Sequence, residues 1–169
     1  MLASIALALL PLLAYAAPAP LAKRATNQLI YAGRDNLCLS LETGSQGNNG
    51  ASNLSNGLAV VSKPCDQATV WDINSGSGSI FVSNSDSAYA LDAGENPGNF
   101  GSLKIWQSYP GLYQQTWYYT DDKRIAITGG DQCLDEGDNG VQLYQCTTGN
   151  TNQIWNTVVP TPRNDPQPL

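Results

Sequence analysis

The chain has 169 residues, a formal net charge of −6 at pH 7 and no histidine. An acidic surface repels phosphate backbones and anionic lipid headgroups, so nucleic acid and membrane insertion are not expected. Without histidine the chain lacks the usual general base, the commonest metal ligand and the usual activator of a nucleophilic serine or cysteine. The composition therefore disfavours most hydrolases and metalloenzymes, and no cofactor or metal is expected.

The amino-terminal segment has the features of a targeting sequence. Residues 5–13 form an apolar run that is too short to cross a bilayer as a helix, and Ala14-Tyr15-Ala16 has the small-x-small pattern of a cleavage site. Residues 1–17 are therefore interpreted as a signal peptide, which predicts secretion to the extracellular space.

Two further segments flank the predicted domain. Residues 18–24 end in the dibasic pair Lys23-Arg24 and are interpreted as a short pro-peptide, whose removal changes the formal charge from −6 to −8. Residues 160–169 are rich in proline without an apolar pattern, which predicts a disordered tail. A single domain over 25–159 remains, and its abundance of glycine, asparagine and serine with few helix signals predicts an all-β fold.

Three segments of this domain share one order of short motifs, which indicates an internal repeat. Each has an opening tripeptide, a strand-like hexapeptide and a closing tryptophan. In chain order these are Cys38-Leu39-Ser40, residues 60–65 and Trp71; Ala90-Leu91-Asp92, residues 103–108 and Trp117; and Cys133-Leu134-Asp135, residues 141–146 and Trp155. In both later copies the aromatic residue of the hexapeptide lies eleven residues before the closing tryptophan.

The four cysteines allow three pairings, and the repeats favour one of them. The second copy replaces both cysteines, by Ala90 and Ser108. A joint loss is expected if each bridge closes a single repeat. The predicted disulfides are therefore Cys38–Cys65 and Cys133–Cys146.

The alternation of strand side chains assigns a face to each motif residue. In the second copy, Leu103 and Ile105 are predicted to face the core, with Trp106 on the opposite side. In the same way Leu91 and Leu134 are predicted to face inward while Asp92 and Asp135 face out. Each later repeat then presents an aspartate and an aromatic ring on its non-core side, and this pair is the hypothesised binding site.

The Cys-Leu-Asp opening, the aromatic residue two positions before the second cysteine and the closing Gln-x-Trp together resemble the repeat of ricin B-type lectins. The resemblance covers residues 27–159. It implies a β-trefoil of twelve strands with pseudo-threefold symmetry, in repeats of about 27–73, 74–119 and 120–159. It also implies that Trp71, Trp117 and Trp155 pack in a common core.

The family's sugar-binding positions map onto two of the three repeats. In the third they fall on Asp135, Tyr144 and Asn152, and in the second on Asp92, Trp106 and Gln114. In the first they fall on Ser40 and Lys63, and the closing motif has become Thr69-Val70-Trp71. The first repeat is therefore expected to have lost its site.

The resemblance implies a secreted carbohydrate-binding lectin, with galactose or N-acetylgalactosamine as the first expected ligand and xylan-type plant polysaccharide as the second. The protein is not expected to be an enzyme. Glycoside hydrolysis needs two carboxylates that flank one bond, whereas the neighbours Asp135 and Glu136 should point to opposite faces of a strand. The alternative is a protein-binding trefoil, such as a protease inhibitor or secreted effector, using a loop such as Gly44–Asn56.

Two surface features complete the sequence-based predictions. Asn53-Leu54-Ser55 is a sequon that predicts N-glycosylation of Asn53 in an exposed loop. The acidic residues Asp131, Asp135, Glu136 and Asp138 do not have the spacing of an EF-hand loop, so they are interpreted as a solvated acidic hairpin.

Overall fold

The computed structural model describes residues 24–42 and 53–160. The predicted signal peptide lies outside these ranges, and so do the pro-peptide up to Lys23 and the tail from residue 161 onward. Arg24 is described: it begins the first strand, where its guanidinium hydrogen-bonds the Asn74 side chain and lies over the Phe81 ring.

Within the described ranges the chain forms thirteen short strands and no α-helix. In chain order the strands are β1 Arg24–Ala32, β2 Cys38–Leu41, β3 Val60–Lys63, β4 Trp71–Asn74, β5 Gly76–Gly78, β6 Phe81–Val82, β7 Tyr89–Asp92, β8 Lys104–Gln107, β9 Trp117–Tyr119, β10 Ile125–Ile127, β11 Gln132–Gly137, β12 Gly140–Gln145 and β13 Trp155–Val158. The prediction was twelve. The extra strand arises because β4 and β5 are separated only by Ser75, next to Gly76 with φ of 82°.

A short 3-10 helix precedes the closing tryptophan of each repeat. These helices span Cys65–Gln67, Tyr113–Gln115 and Thr151–Gln153. In the second and third repeats the glutamine of Gln-x-Trp is fully buried and ties the preceding loop: Gln115 bonds the Tyr109 amide and the Gln107 carbonyl, and Gln153 bonds the Thr147 amide and the Gln145 carbonyl.

The strands of the three repeats join one another at their edges. β1 pairs with β2 and β4 and also with β13, which connects the two ends of the domain. β5 pairs with β9, and β9 continues through β10 and β11 to β12. Antiparallel closure of this kind leaves few unpaired strand edges. The all-β trefoil prediction is confirmed.

The three closing tryptophans occupy equivalent places in one core. Each is almost completely buried, and each indole nitrogen donates to the carbonyl of an opening-motif leucine: Trp71 to Leu39 at 2.9 Å, Trp117 to Leu91 at 3.0 Å and Trp155 to Leu134 at 2.9 Å. The threefold repetition of one buried hydrogen bond satisfies the polar atom of each large apolar ring. The prediction that these tryptophans are structural is confirmed.

The two disulfides form as predicted, Cys38 with Cys65 and Cys133 with Cys146. Each joins the opening motif to the end of the hexapeptide within one repeat. In the second repeat Ala90 is fully buried in the place of the first cysteine. At this point in that repeat β7 and β8 pair without a disulfide, and the Ser108 amide donates to the Ala88 carbonyl at 2.8 Å.

The predicted faces are correct for the apolar residues, and for the two acids the predicted exposure to solvent is wrong. Leu103 and Ile105 are buried, as are Leu91 and Leu134. Asp92 and Asp135 were expected to face solvent, but only 2% and 3% of their surfaces are exposed. They do point away from the hydrophobic core, yet neighbouring polar side chains cover them.

Candidate functional site

The β11–β12 hairpin builds a pocket in the third repeat. Its register places Asp135 opposite Gln142, and Tyr144 follows two residues later on the same face as Gln142. A tight turn at Asp138 and Asn139, followed by Gly140 with φ of 99°, sets this register. The resulting cavity, the third-repeat pocket, has a volume of about 230 Å³ and is lined by Phe100, Asp135, Gly137, Asp138, Asn139, Gln142, Tyr144, Asn150 and Asn152.

The Asp135 carboxylate is held by two side-chain amides. Gln142 Nε2 donates to Oδ1 at 3.2 Å and Asn150 Nδ2 donates to Oδ2 at 3.3 Å. Each carboxylate oxygen has lone pairs beyond the one used here. The buried acid is therefore fixed in direction and retains capacity to accept hydroxyl groups from a ligand.

Asn150 was not predicted from the sequence, although it contacts Asp135 directly. Its side-chain oxygen caps the 3-10 helix by accepting from the Asn152 amide at 3.1 Å, while its nitrogen reaches Asp135. The predicted residue Asn152 lines the same pocket. The structure thus brings Asp135, Tyr144 and Asn152 together and adds Asn150 and Gln142 to them.

A second aromatic ring enters the third-repeat pocket from the preceding repeat. Phe100 lies in the loop before β8, and its ring centroid is 5.2 Å from that of Tyr144 with an angle of 76° between the planes. It is 72% exposed. No signal in the sequence pointed to Phe100, because its place depends on a contact between repeats.

The second repeat has an equivalent cavity, the second-repeat pocket, with a volume of about 330 Å³. It brings together the three predicted residues of this repeat, and its lining is Asp92, Glu95, Lys104, Trp106, Tyr109, Leu112 and Gln114. Asp92 accepts from the Gly94 amide at 2.7 Å and from Gln115 Nε2 at 2.9 Å.

The two pockets differ at one equivalent pair of positions. Lys104 lies opposite Asp92 as Gln142 lies opposite Asp135. In the second-repeat pocket the Lys104 ammonium is 4.9 Å from the centroid of the Trp106 ring. A cation over the ring occupies part of the surface that a ligand would stack on.

In the first repeat the described residues at the corresponding positions bond to groups of their own repeat. Ser40 is buried and its Oγ lies 3.3 Å from Oγ1 of the buried Thr69, which also accepts from the Leu41 amide. Lys63 donates to the Glu42 carbonyl at 2.7 Å. Ser40 and Lys63 therefore supply neither a carboxylate nor an aromatic ring at the positions where the other two repeats have them.

The predicted solvated acidic hairpin is wrong for two of its members. Asp135 lies in the third-repeat pocket, and Glu136, which is also buried, turns to the other face and accepts a hydrogen bond from Ser62. Burial raises the pKa of Glu136, and the charges of Asp35 and Asp135 raise it further, against the hydrogen bond from Ser62 and the charge of Arg34. Asp138 is exposed and forms an ion pair with Arg34.

Two further observations concern the described residues as a whole. They contain no group of three or more acidic, cysteine or histidine side chains arranged to hold a metal ion. None of their helices has the length and apolar character needed to span a membrane.

The two predicted loop features are described only in part. Asn53 of the sequon is exposed and has a left-handed backbone, with φ of 66°. Most of the predicted protein-binding loop Gly44–Asn56 lies outside the described residues, which resume at position 53.

Comparison with known proteins relates this architecture to one family. Residues 78–161, about half of the chain, match the model of the ricin-type beta-trefoil lectin domain. A search of curated proteins finds no match.

Several solved structures share the fold at low sequence identity. The designed three-fold symmetric protein ThreeFoil aligns at 20% identity with a TM-score of 0.58, over 78% of this chain and 96% of its own. The mdaA-1 domain aligns at 16% identity and a TM-score of 0.56, over 79% of this chain and 89% of its own. A structure described as the PSL1a-E64 complex aligns at 15% identity and a TM-score of 0.55, over 78% of this chain and 48% of its own.

Proposed function

Since the chain belongs to the ricin-type β-trefoil lectin family, we propose that it is a secreted carbohydrate-binding lectin whose principal site is the third-repeat pocket. The observation that carries the proposal is the placement of Asp135, held by two amides, beside the ring of Tyr144 in one open cavity. Domains of this family are in general non-catalytic carbohydrate-binding modules.

The chemistry of the pocket matches a pyranose. A sugar ring has polar edges and an apolar face of C–H groups, and the apolar face stacks on an aromatic side chain such as Tyr144. Asp135 accepts two vicinal hydroxyls in charge-assisted hydrogen bonds, and Asn152 supplies an amide with both a donor and an acceptor. Shallow polar sites of this kind bind with a Kd of about 1 mM, equivalent to about −4 kcal/mol.

Galactose and N-acetylgalactosamine are the proposed ligands, with xylan-type polysaccharide as the second choice. In a galactose ring the axial O4 leaves several C–H groups together on one face, which gives the larger apolar patch for Tyr144. The same axial group places O3 and O4 close together at one edge, within reach of the two oxygens of a single carboxylate.

Binding without hydrolysis is the outcome that the pocket chemistry supports. A glycosidase needs a general acid beside a second carboxylate. Of the two acids in the third-repeat pocket, Asp135 is bonded to two amides and Asp138 is paired with Arg34. We propose that neither carries a proton to a leaving group.

The test is a glycan array with the secreted protein, followed by calorimetry of Asp135→Asn and Tyr144→Ala. The Asn variant keeps the shape of the side chain but loses the charge, so affinity should fall more than tenfold, since hydrogen bonds to a charged group contribute about 1.5–3 kcal/mol. Glu136→Gln is the matched control, because it makes the same change at the next residue on the opposite face, and it should bind like the unaltered protein.

Three results would contradict the proposal. If the unaltered protein binds no glycan but inhibits a protease, the protein-binding alternative is correct. If Asp135→Asn and Glu136→Gln bind equally well, sugar binding lies elsewhere on the molecule. Release of sugar from an oligosaccharide by the purified protein would establish an enzyme.

A further inference from the structure

The pseudo-threefold symmetry places Gly57 and Phe100 in equivalent positions. The Gly57 amide donates to the Ile105 carbonyl at 3.0 Å, and the Phe100 amide donates to the Leu143 carbonyl at 2.8 Å. Ile105 and Leu143 each immediately precede the aromatic residue of a pocket, Trp106 or Tyr144.

The residues that precede Gly57 and Phe100 also form equivalent hydrogen bonds to the next repeat. The Asn56 side chain accepts from the Gln107 amide at 2.7 Å, and the Asn99 side chain accepts from the Gln145 amide at 2.8 Å. Two hydrogen bonds therefore fix each turn on the aromatic strand of the next repeat. The two turns are structurally equivalent, with glycine at this position in one and phenylalanine in the other.

The backbone at this position favours glycine in both repeats. The φ angle is 87° at Gly57 and 65° at Phe100. Glycine adopts this left-handed region without strain, whereas a side chain with a Cβ, and a bulky one above all, is disfavoured there. Phe100 is also 72% exposed, so core packing does not explain its presence. A strained and exposed aromatic residue beside a pocket points to a role in binding.

The side chain at this position is directed at the ring of the next repeat. The Phe100 ring lies edge-to-face with Tyr144 at 5.2 Å and lines the third-repeat pocket. At Gly57 an added Cβ would lie 3.8 Å from the Trp106 ring, an ordinary van der Waals distance. The second-repeat pocket therefore has no side chain at the position from which Phe100 enters the third-repeat pocket.

We propose that Phe100 forms a second sugar subsite, which stacks on the next pyranose of an oligosaccharide whose first unit lies on Tyr144 and Asp135. The inference rests on the proposed function of the third-repeat pocket. The two ring planes are 76° apart, so one flat pyranose cannot stack on both. The exposed Phe100 ring is then free for the adjoining unit, and the pocket prefers disaccharides and longer chains to monosaccharides.

The experiment compares monosaccharide and oligosaccharide affinities in Phe100→Gly and Phe100→Tyr, by calorimetry or by NMR titration. The probe pairs are methyl β-galactoside with lactose, and xylose with xylotriose. Phe100→Gly copies the residue that the fold already uses at position 57, so the melting temperature should not fall. Asp135→Asn is measured in parallel.

The unaltered protein should bind the longer member of one pair between about twofold and tenfold more tightly than the shorter, which is the range of a single aromatic contact. Phe100→Gly should weaken the longer member of that pair at least about twofold more than the shorter member and so remove the preference, while Phe100→Tyr should retain it. Asp135→Asn should weaken both members of the pair.

Failure of the subsite and failure of the proposed function give different results. If Phe100→Gly weakens the monosaccharide and the oligosaccharide by the same factor, or changes neither, the second subsite is refuted while the lectin proposal stands. If the unaltered protein binds none of the four probes and no other glycan, the proposed function falls and the subsite falls with it.

Discussion

Asp135 and Glu136 are neighbours in β11, and the alternation of strand side chains gives their carboxylates different surroundings. Asp135 faces the third-repeat pocket and is bonded to Gln142 and Asn150. Glu136 faces Ser62 of the first repeat, away from the pocket lining. One acid is therefore placed for binding and the other for contact between repeats.

The buried Glu136 predicts a specific dependence of stability on pH. Because burial raises its pKa in the folded protein above the unfolded value, folding favours the protonated form. The contribution of Glu136 to stability is complete below the unfolded pKa and is lost as the pH rises through the folded pKa, with a slope of at most about 1.4 kcal/mol per pH unit. Glu136→Gln should remove this loss, so the free energy of unfolding of the variant should gain on that of the unaltered protein as the pH rises above the unfolded pKa of a glutamate, about 4.3, as measured by urea denaturation.

Asp122→Asn is the control, and its effect on stability should change with pH in the opposite direction. The hydrogen bond from Arg124 lowers the pKa of Asp122, so its contribution is present above the unfolded pKa and is lost as the pH falls. If the two variants show the same pH trend relative to the unaltered protein, the assignment of Glu136 is wrong.

Single residues differ in how far the sequence predicted them. Asp135 and Tyr144 followed from strand alternation and the repeat pattern, and Gln142 is accessible to the same reasoning because it lies opposite Asp135 in a hairpin. The burial of Asp135 was missed, since it depends on the amide of Asn150 folding back from the 3-10 helix cap. Phe100 was missed because local patterns carry no information about contacts between repeats.

At the level of secondary structure, comparison of the three repeats carried most of the prediction. Strands β7, β8, β11 and β12 follow directly from the repeated opening tripeptides and hexapeptides. The division between β4 and β5 did not, because it depends on a change of pairing partner, from β1 and β6 to β9, at a bend of the backbone. The alternation of apolar residues does not reveal such a change.

The same comparison predicts that a third disulfide can be introduced. Cys133 pairs with Tyr144, two residues before Cys146, and Ala90 pairs with Trp106, two residues before Ser108. Ala90→Cys combined with Ser108→Cys should form a bridge that stabilises the fold by up to about 3 kcal/mol, from the chain entropy of a loop of about 19 residues. The measurement is thermal unfolding with a count of free thiols.

The single cysteine variants are the matched controls, and each should be no more stable than the unaltered protein. Two free thiols in the folded double variant, or a lower melting temperature after the bridge has formed, would show that the second repeat departs from the geometry of the third, in which the bridged Cα atoms are 5.0 Å apart.

The whole molecule uses one scaffold to present three unlike surfaces. The buried tryptophan and its hydrogen bond are conserved in geometry through all three repeats. The outer positions diverge: a pair of buried hydroxyl groups, Ser40 and Thr69, in the first repeat, a pocket with Lys104 over Trp106 in the second, and a pocket with Phe100 against Tyr144 in the third. The core and the pockets therefore use different faces of the same strands.

Two pockets on one rigid domain predict bivalent binding to a surface that displays many sugars. Each of Asp92→Asn and Asp135→Asn should leave one monosaccharide site, yet each should weaken binding to a densely glycosylated surface by about a hundredfold or more, because the loss of one site removes avidity. The remaining site should be weaker in Asp135→Asn, since a ligand of the second-repeat pocket must displace Lys104 from Trp106.

The measurement is surface plasmon resonance at high and low sugar density, with solution titration of the monosaccharide to count sites. At low density the bivalent advantage should vanish, because one molecule then reaches one sugar at a time. If Asp92→Asn binds the dense surface as strongly as the unaltered protein does, the lectin acts through the third-repeat pocket alone.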